Sequence, residues 1–169
     1  EDLRDPARSS EASSIDPLRI GPYGFFKVLG EMVVRRHAER WLVLRLGNIV
    51  GPGLRRNPIH DLLTGSKLFI HPSSTMAFLD TRAFARILWE LRTEAGQIFN
   101  VSGRGSVRLA DVAAGSGIAL DHEFDALPVE TQRVNIDKLS ARMTLPESGE
   151  TVMSFIREWR SGEVRLGEP

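Results

Sequence analysis

The chain has 169 residues, 22 basic and 22 acidic side chains, 41% hydrophobic content and no cysteine. That length suits one domain of roughly 150 residues, while the zero net charge leaves no basic footprint for nucleic acid. No apolar run approaches the roughly 18 residues of a membrane span, so neither nucleic acid nor membrane is an expected partner. Without thiols there is no disulfide framework or cysteine-bound zinc, the opening EDLRDPARSSEASS is unlike a signal peptide, and the expected compartment is cytoplasmic.

Residues 1–22 are polar, with Pro6, Pro17 and Pro22 and a cluster of Ser9, Ser10, Ser13 and Ser14, and they read as an irregular lead-in to a unit over 23–169. A helix begins at Tyr23, behind a proline whose missing N–H is not needed there. Its apolar stripe is Phe26, Leu29, Val33 and Val34, with Glu31, Arg35, Arg36 and Glu39 toward water. Trp41–Leu46, interrupted by Arg45, reads as a strand buried on both faces. A short helix is expected over Ile59–Leu63, closed by Gly65, and brief strands over Leu68–Ile70 and Met76–Leu79. Thr81 resembles an N-cap for a helix to about Arg92, with Phe84, Ile87, Leu88 and Leu91 buried. Gly96 precedes a strand at Gln97–Val101, Val107–Leu109 reads either as a small strand or as the lead into a helix reaching about Ala114, and 115–129 is loop-like with room for a strand. Ile136–Met143 and Glu147–Arg160 close the chain as amphipathic helices. Helices alternating with short strands argue an α/β fold.

The residues with the most chemical content are Tyr23 and Lys27. Four residues make about one helical turn, so phenol and ammonium share a face. A phenol ordinarily ionises near pH ~10, and a cation held beside it favours the phenolate and brings proton exchange within reach of neutral pH. The chain has one tyrosine and, against 19 arginines, only three lysines. The plainer reading of the pair is an ordinary helix with one aromatic and one lysine. Asn48 stands just past the carboxyl end of the expected strand, where ligands of open parallel sheets sit; a turn asparagine satisfying local backbone is the competing reading. His37, His60, His71 and His122 are scattered without metal-ligand spacing, so no metal is expected. Phe25, Phe26, Trp41, Trp89 and Trp159 are expected in core packing.

PYGFFKVLGE, with Tyr23, Lys27 and Glu31, resembles the tyrosine-x-x-x-lysine signature of the extended short-chain dehydrogenase/reductases, the NAD(P)-dependent sugar-nucleotide epimerases and dehydratases. LRLGNIVGPG, with Arg45, Asn48 and Gly51–Gly53, is similar to that family's next landmark. MAFLDTRAFARIL, Asn100–Gly105 and PESGETVMSFIREW resemble its later segments, so the resemblance runs from about Tyr23 to Trp159. It implies a partial Rossmann-like sheet with a small C-terminal substrate-binding portion, the N-terminal dinucleotide-binding half missing. Tyr23 would be the general acid/base, and Lys27 would lower its pKa and bind the nicotinamide ribose of NAD or NADP. Leu46, Gly47, Asn48 and Ile49 would line the nicotinamide site. Asn48, with Arg55, Arg56 or Arg82, would bind a substrate such as a nucleotide sugar.

The chain departs from that pattern in three places. Neither Gly103-Arg104-Gly105 nor Gly115-Ser116-Gly117 has the third glycine of a pyrophosphate turn. The family's catalytic serine or threonine falls before Glu1; Ser10, thirteen residues upstream of Tyr23, has the spacing of the single-domain branch but sits in a cluster that reads as loop. Ser74–Ala77 lacks the arginine that clamps a diphosphate. The expected partner is therefore the missing half or a second copy, since the family pairs such helices in dimers. A non-catalytic scaffold or assembly module, unable to bind dinucleotide alone, is the alternative function.

Overall fold

The structure, a computed structural model, describes residues 9–120 and 124–167. A 3-10 turn at Pro17–Arg19 leads into α1 (Pro22–His37), then β1 (Leu42–Leu46), β2 (Asn48–Val50) and α2 (Pro58–Thr64). There follow β3 (Thr75–Met76), β4 (Phe78–Asp80), α3 (Thr81–Leu91), β5 (Gln97–Val101), β6 (Val107–Arg108) and α4 (Leu109–Gly115). One turn, α5 (Asp137–Ser140), and the long α6 (Ser148–Arg160) complete the fold. β1 pairs with β5 and β2 with β4, both parallel, while β3 and β6 pair antiparallel. Helices connecting parallel strands make this the expected α/β class. No helix among the described residues is long and apolar enough to cross a membrane.

Strand alternation explains why there are two hydrophobic cores. On β4, Phe78 faces a cluster with Val50, Ile59, Leu109, Val152 and Phe155, while its neighbour Leu79 faces Ala83, Ile87, Leu91, Phe99 and Val101. Successive side chains on a strand point to opposite faces, so the β2–β4 pair is a wall buried on both sides. Ser148 ties α6 to this wall, its Oγ accepting from the Phe78 N–H at 3.0 Å.

Several expectations are corrected. The apolar stripe of α1 is not buried: no α1 residue is buried, and Phe26 is 67% exposed, whereas the Glu31 side chain, expected in water, is only 11% exposed. Phe25 and Trp89 likewise are not core residues. β1 starts at Leu42 and is half-buried, because among the described residues β5 is its only strand neighbour and an open cleft lies between it and α1. Leu68–Ile70 is not a strand. Leu68 and Ile70 are buried and Phe69 exposed, the alternation of a half-buried strand, but among the described residues no strand pairs with it. Met76–Leu79 divides into β3 and β4. Asp80, not Thr81, caps α3 by accepting from the Ala83 N–H, and Leu88 is turned outward where Ala83 is buried. The helix at Ile136–Met143 shortens to α5, the amides of Arg142 and Met143 both folding back to the Leu139 carbonyl. His122 lies outside the described residues.

The lead-in is more ordered than its composition suggests. Ser9 is fully buried: its hydroxyl donates to the Arg133 carbonyl and accepts from the Asn135 N–H, both at 3.1 Å. Glu11 accepts from the Asn100 N–H at 2.9 Å, so residues 9–11 lie against β5.

Candidate active site

Gly21 and Pro22 start α1 with extended backbone followed by a fixed helical φ, which sets Tyr23 in the first turn. Tyr23 is 78% exposed. The Lys27 ammonium stands 5.2 Å from the centre of its ring and makes no ion pair or hydrogen bond among the described residues. An exposed cation over an aromatic face is worth about 0.5–1 kcal/mol, enough to bias a lysine rotamer but not to immobilise it.

Beneath these two residues, between α1 and β1, lies an open cleft of about 700 Å³. Tyr23, Lys27 and Glu31 line it from the helix, β1 lines it from Leu42 to Leu46, and Ile15 and Ile20 close one end. Its principal polar feature is an ion pair. The Arg45 guanidinium donates through Nε and Nη2 to the two Glu31 oxygens at 3.1 and 3.0 Å. Both side chains are largely shielded, 18% and 11% exposed. Arg35 adds a weaker contact to Glu31 at 3.4 Å and stacks on Trp41 at 5.3 Å. Lys27 also lies one turn from Glu31, but an exposed pair within a helix contributes about 0.2–0.5 kcal/mol. Hydrogen bonds to charged groups contribute about 1.5–3 kcal/mol each, so a shielded guanidinium fork wins Glu31. Arg45 Nη1 is buried in the cleft wall without a partner.

The structure brings Tyr23, Lys27 and Leu46 to this one cleft and leaves the other expected site residues elsewhere. Gly47 passes close to Ser102, whose Oγ would be 2.7 Å from a Cβ at that position. Asn48 opens β2, and its amide donates across the fold to the Ala77 carbonyl at 3.2 Å and to Gln132 Oε1 at 3.0 Å. It is neither a turn asparagine nor free on its donor side. Ile49 packs on the second core. Arg56 stacks over Phe69 at 4.9 Å, and Arg55 lies beside Gly167. Arg82 lines a separate pocket of about 220 Å³ and forms a two-pronged pair with Glu158 at 3.1 and 3.0 Å. That hydrogen bonding, and then the carboxylate's charge, holds the Arg82 guanidinium above its ordinary pKa. Ser10 exchanges a hydrogen bond with Ser13 at 3.2 Å and does not line the cleft. Among the described residues no group of three or more histidine, aspartate or glutamate side chains could hold a metal.

The Arg45–Glu31 pair and Gln132 are the participants that sequence reading passed over. The unpaired charge of Arg45 inside an otherwise apolar strand was a signal, since a buried guanidinium demands a carboxylate. Gln132 carried none.

Parallel strand pairs joined through helices, with a tyrosine–lysine turn over the edge of one of them, define a partial Rossmann-like α/β fold. No family model matches the chain, and no curated protein sequence matches it. Solved structures do. A UDP-galactose 4-epimerase is 20% identical with a TM-score of 0.71, over 95% of this chain and 61% of that one. A dTDP-glucose 4,6-dehydratase from Bacillus anthracis, in complex with NAD, is 16% identical with a TM-score of 0.70, over 92% and 56%. The Pseudomonas aeruginosa protein RMD, complexed with NADPH, is 20% identical with a TM-score of 0.69, over 90% and 60%. The chain thus shares their fold while spanning little more than half of their length.

Proposed function

We propose that this chain provides the proton-transfer and substrate side of an NAD(P)-dependent epimerase, dehydratase or reductase acting on a nucleotide sugar or a related hydroxyl or carbonyl compound. The observation that carries the reading is the exposed Tyr23 phenol with an otherwise uncommitted Lys27 ammonium, at the rim of a cleft large enough for a ligand. The cofactor fits in part. Lys27 and Tyr23 offer polar atoms for a ribose beside the half-apolar wall of β1, but no glycine-rich turn for a pyrophosphate lies among the described residues. When bound, a nicotinamide supplies the hydride chemistry.

The chain's own residues do the rest. Tyr23 gives a proton to a substrate oxygen or takes one from it, and Lys27 favours the phenolate and binds the ribose. Leu46, and beyond it Gly47, Asn48 and Ile49, border the nicotinamide. Asn48 contributes its amide oxygen to substrate, its donors being held by Ala77 and Gln132. Arg55 and Arg56 remain the candidates for an anionic substrate, since Arg82 is already paired with Glu158. The dinucleotide-binding half belongs to another part of a longer polypeptide or to a partner. The exposed apolar side of α1 is then covered by that half or by a second copy.

The test is turnover in a polypeptide carrying this chain behind a glycine-rich strand–turn–helix unit, followed by NAD(P)H absorbance. Tyr23→Phe should lower kcat by about 10²–10⁴-fold with the circular dichroism spectrum unchanged. Unchanged turnover would remove the acid/base role, whereas no turnover in the parent polypeptide would favour a non-catalytic scaffold.

A further inference from the structure

Tyr23, Lys27 and Glu31 recur every four residues, so ring, ammonium and carboxylate form one stripe along α1. Lys27, in the middle, has two possible partners one turn away in opposite directions. It stands over the ring and makes no ion pair with Glu31. Glu31 is engaged from outside the helix, both oxygens receiving the Arg45 fork. Arg45 belongs to β1, so the choice made by Lys27 is coupled to the seating of α1 over the sheet.

We propose that Arg45 is a positioning residue: by occupying both oxygens of Glu31 it denies Lys27 an ion pair within the helix and keeps the ammonium at the Tyr23 ring. The functional meaning rests on the acid/base reading of Tyr23, but the placement of Lys27 is measurable without turnover. The other charges on neighbouring elements are already engaged. Asp16 and Arg19, on the 3-10 turn packed against α1, pair with each other at 3.6 Å, and Arg35 shares Glu31.

Tyr23 is the only tyrosine, so its ring resonances are assigned without ambiguity. The Lys27 ε-methylene carries a ring-current displacement while it stays over the ring. In Arg45→Met, Lys27 turns to Glu31, and its displacement should fall by more than half. The fall should vanish when Arg45→Met is made in a Glu31→Gln background, which leaves Lys27 no carboxylate to turn to. If the Lys27 resonance stays put in Arg45→Met, or moves equally in both backgrounds, Arg45 does not position Lys27 and the proposal fails. Should Arg45→Met unfold, Arg45→Lys serves instead. One ammonium covers Glu31 less completely than a fork, so the displacement should fall partway, and a displacement equal to the parent's overturns the proposal. Failure here would leave the Tyr23 reading standing, whereas an active Tyr23→Phe enzyme would remove that reading and leave the resonance data untouched.

Discussion

A methyl group at Gly103 would lie 2.1 Å from the Phe78 carbonyl oxygen and within 3.1 Å of Ser148 Oγ and the Pro146 carbonyl. Backbone on two sides cannot yield as the tip of a flexible side chain would. Gly103→Ala is therefore expected to destabilise by about 1–3 kcal/mol, the usual cost of overpacking, read as a lower urea midpoint with an unchanged m-value. This glycine sits in a segment whose sequence invites comparison with a phosphate-binding turn, yet its place is set by packing between β4 and α6. The residue scale is also where sequence reading went furthest and then stopped. Tyr23 and Lys27 could be found because four residues make a turn, a local fact. Their environment could not, because Glu31 meets Arg45 across fourteen residues and Asn48 meets Gln132 across eighty-four. Spacing within one helix says nothing about a partner that arrives from another element.

Elements bounded by their own chemistry were legible to within a residue or two. Asn57 caps α2 by accepting from the Ile59 and His60 N–H groups at 2.9 Å each, and Gly65 ends it in the left-handed conformation at φ 66°. Asn57 also donates to the Ile49 carbonyl at 2.9 Å, fastening the helix to β2. Asn57→Ala should thus cost about 1 kcal/mol or somewhat more, the loss of a cap together with a tertiary hydrogen bond. Amide hydrogen exchange should quicken first in α2. Where tertiary context decided, pattern misled. The apolar stripe of α1 has helical period and correct boundaries, but the sequence cannot say whether anything covers it. Leu68–Ile70 alternates as a strand does and has no neighbour to make it one.

At the scale of the whole molecule, the two ends of the β1–β5 pair are treated differently. Two outward-facing groups of β5 are already taken: the Ile98 carbonyl accepts from Lys138 at 2.7 Å, and the Asn100 N–H donates to Glu11. β1 has no strand beyond it among the described residues. Growth of this sheet is therefore favoured at β1 over β5. A newcomer that docks its own β1 there ends the process, because what it then presents outward is its capped β5. A chain that pairs through β1 should therefore not go on to open-ended fibres, although among the described residues that edge of the sheet has no strand beside it. On concentration, light scattering should level off at twice the monomer mass, and the loss of Glu11 and Lys138 together, as Glu11→Ala with Lys138→Ala, should let the mass climb without a plateau. An edge plugged by one lysine and one glutamate separates a chain that pairs from one that polymerises.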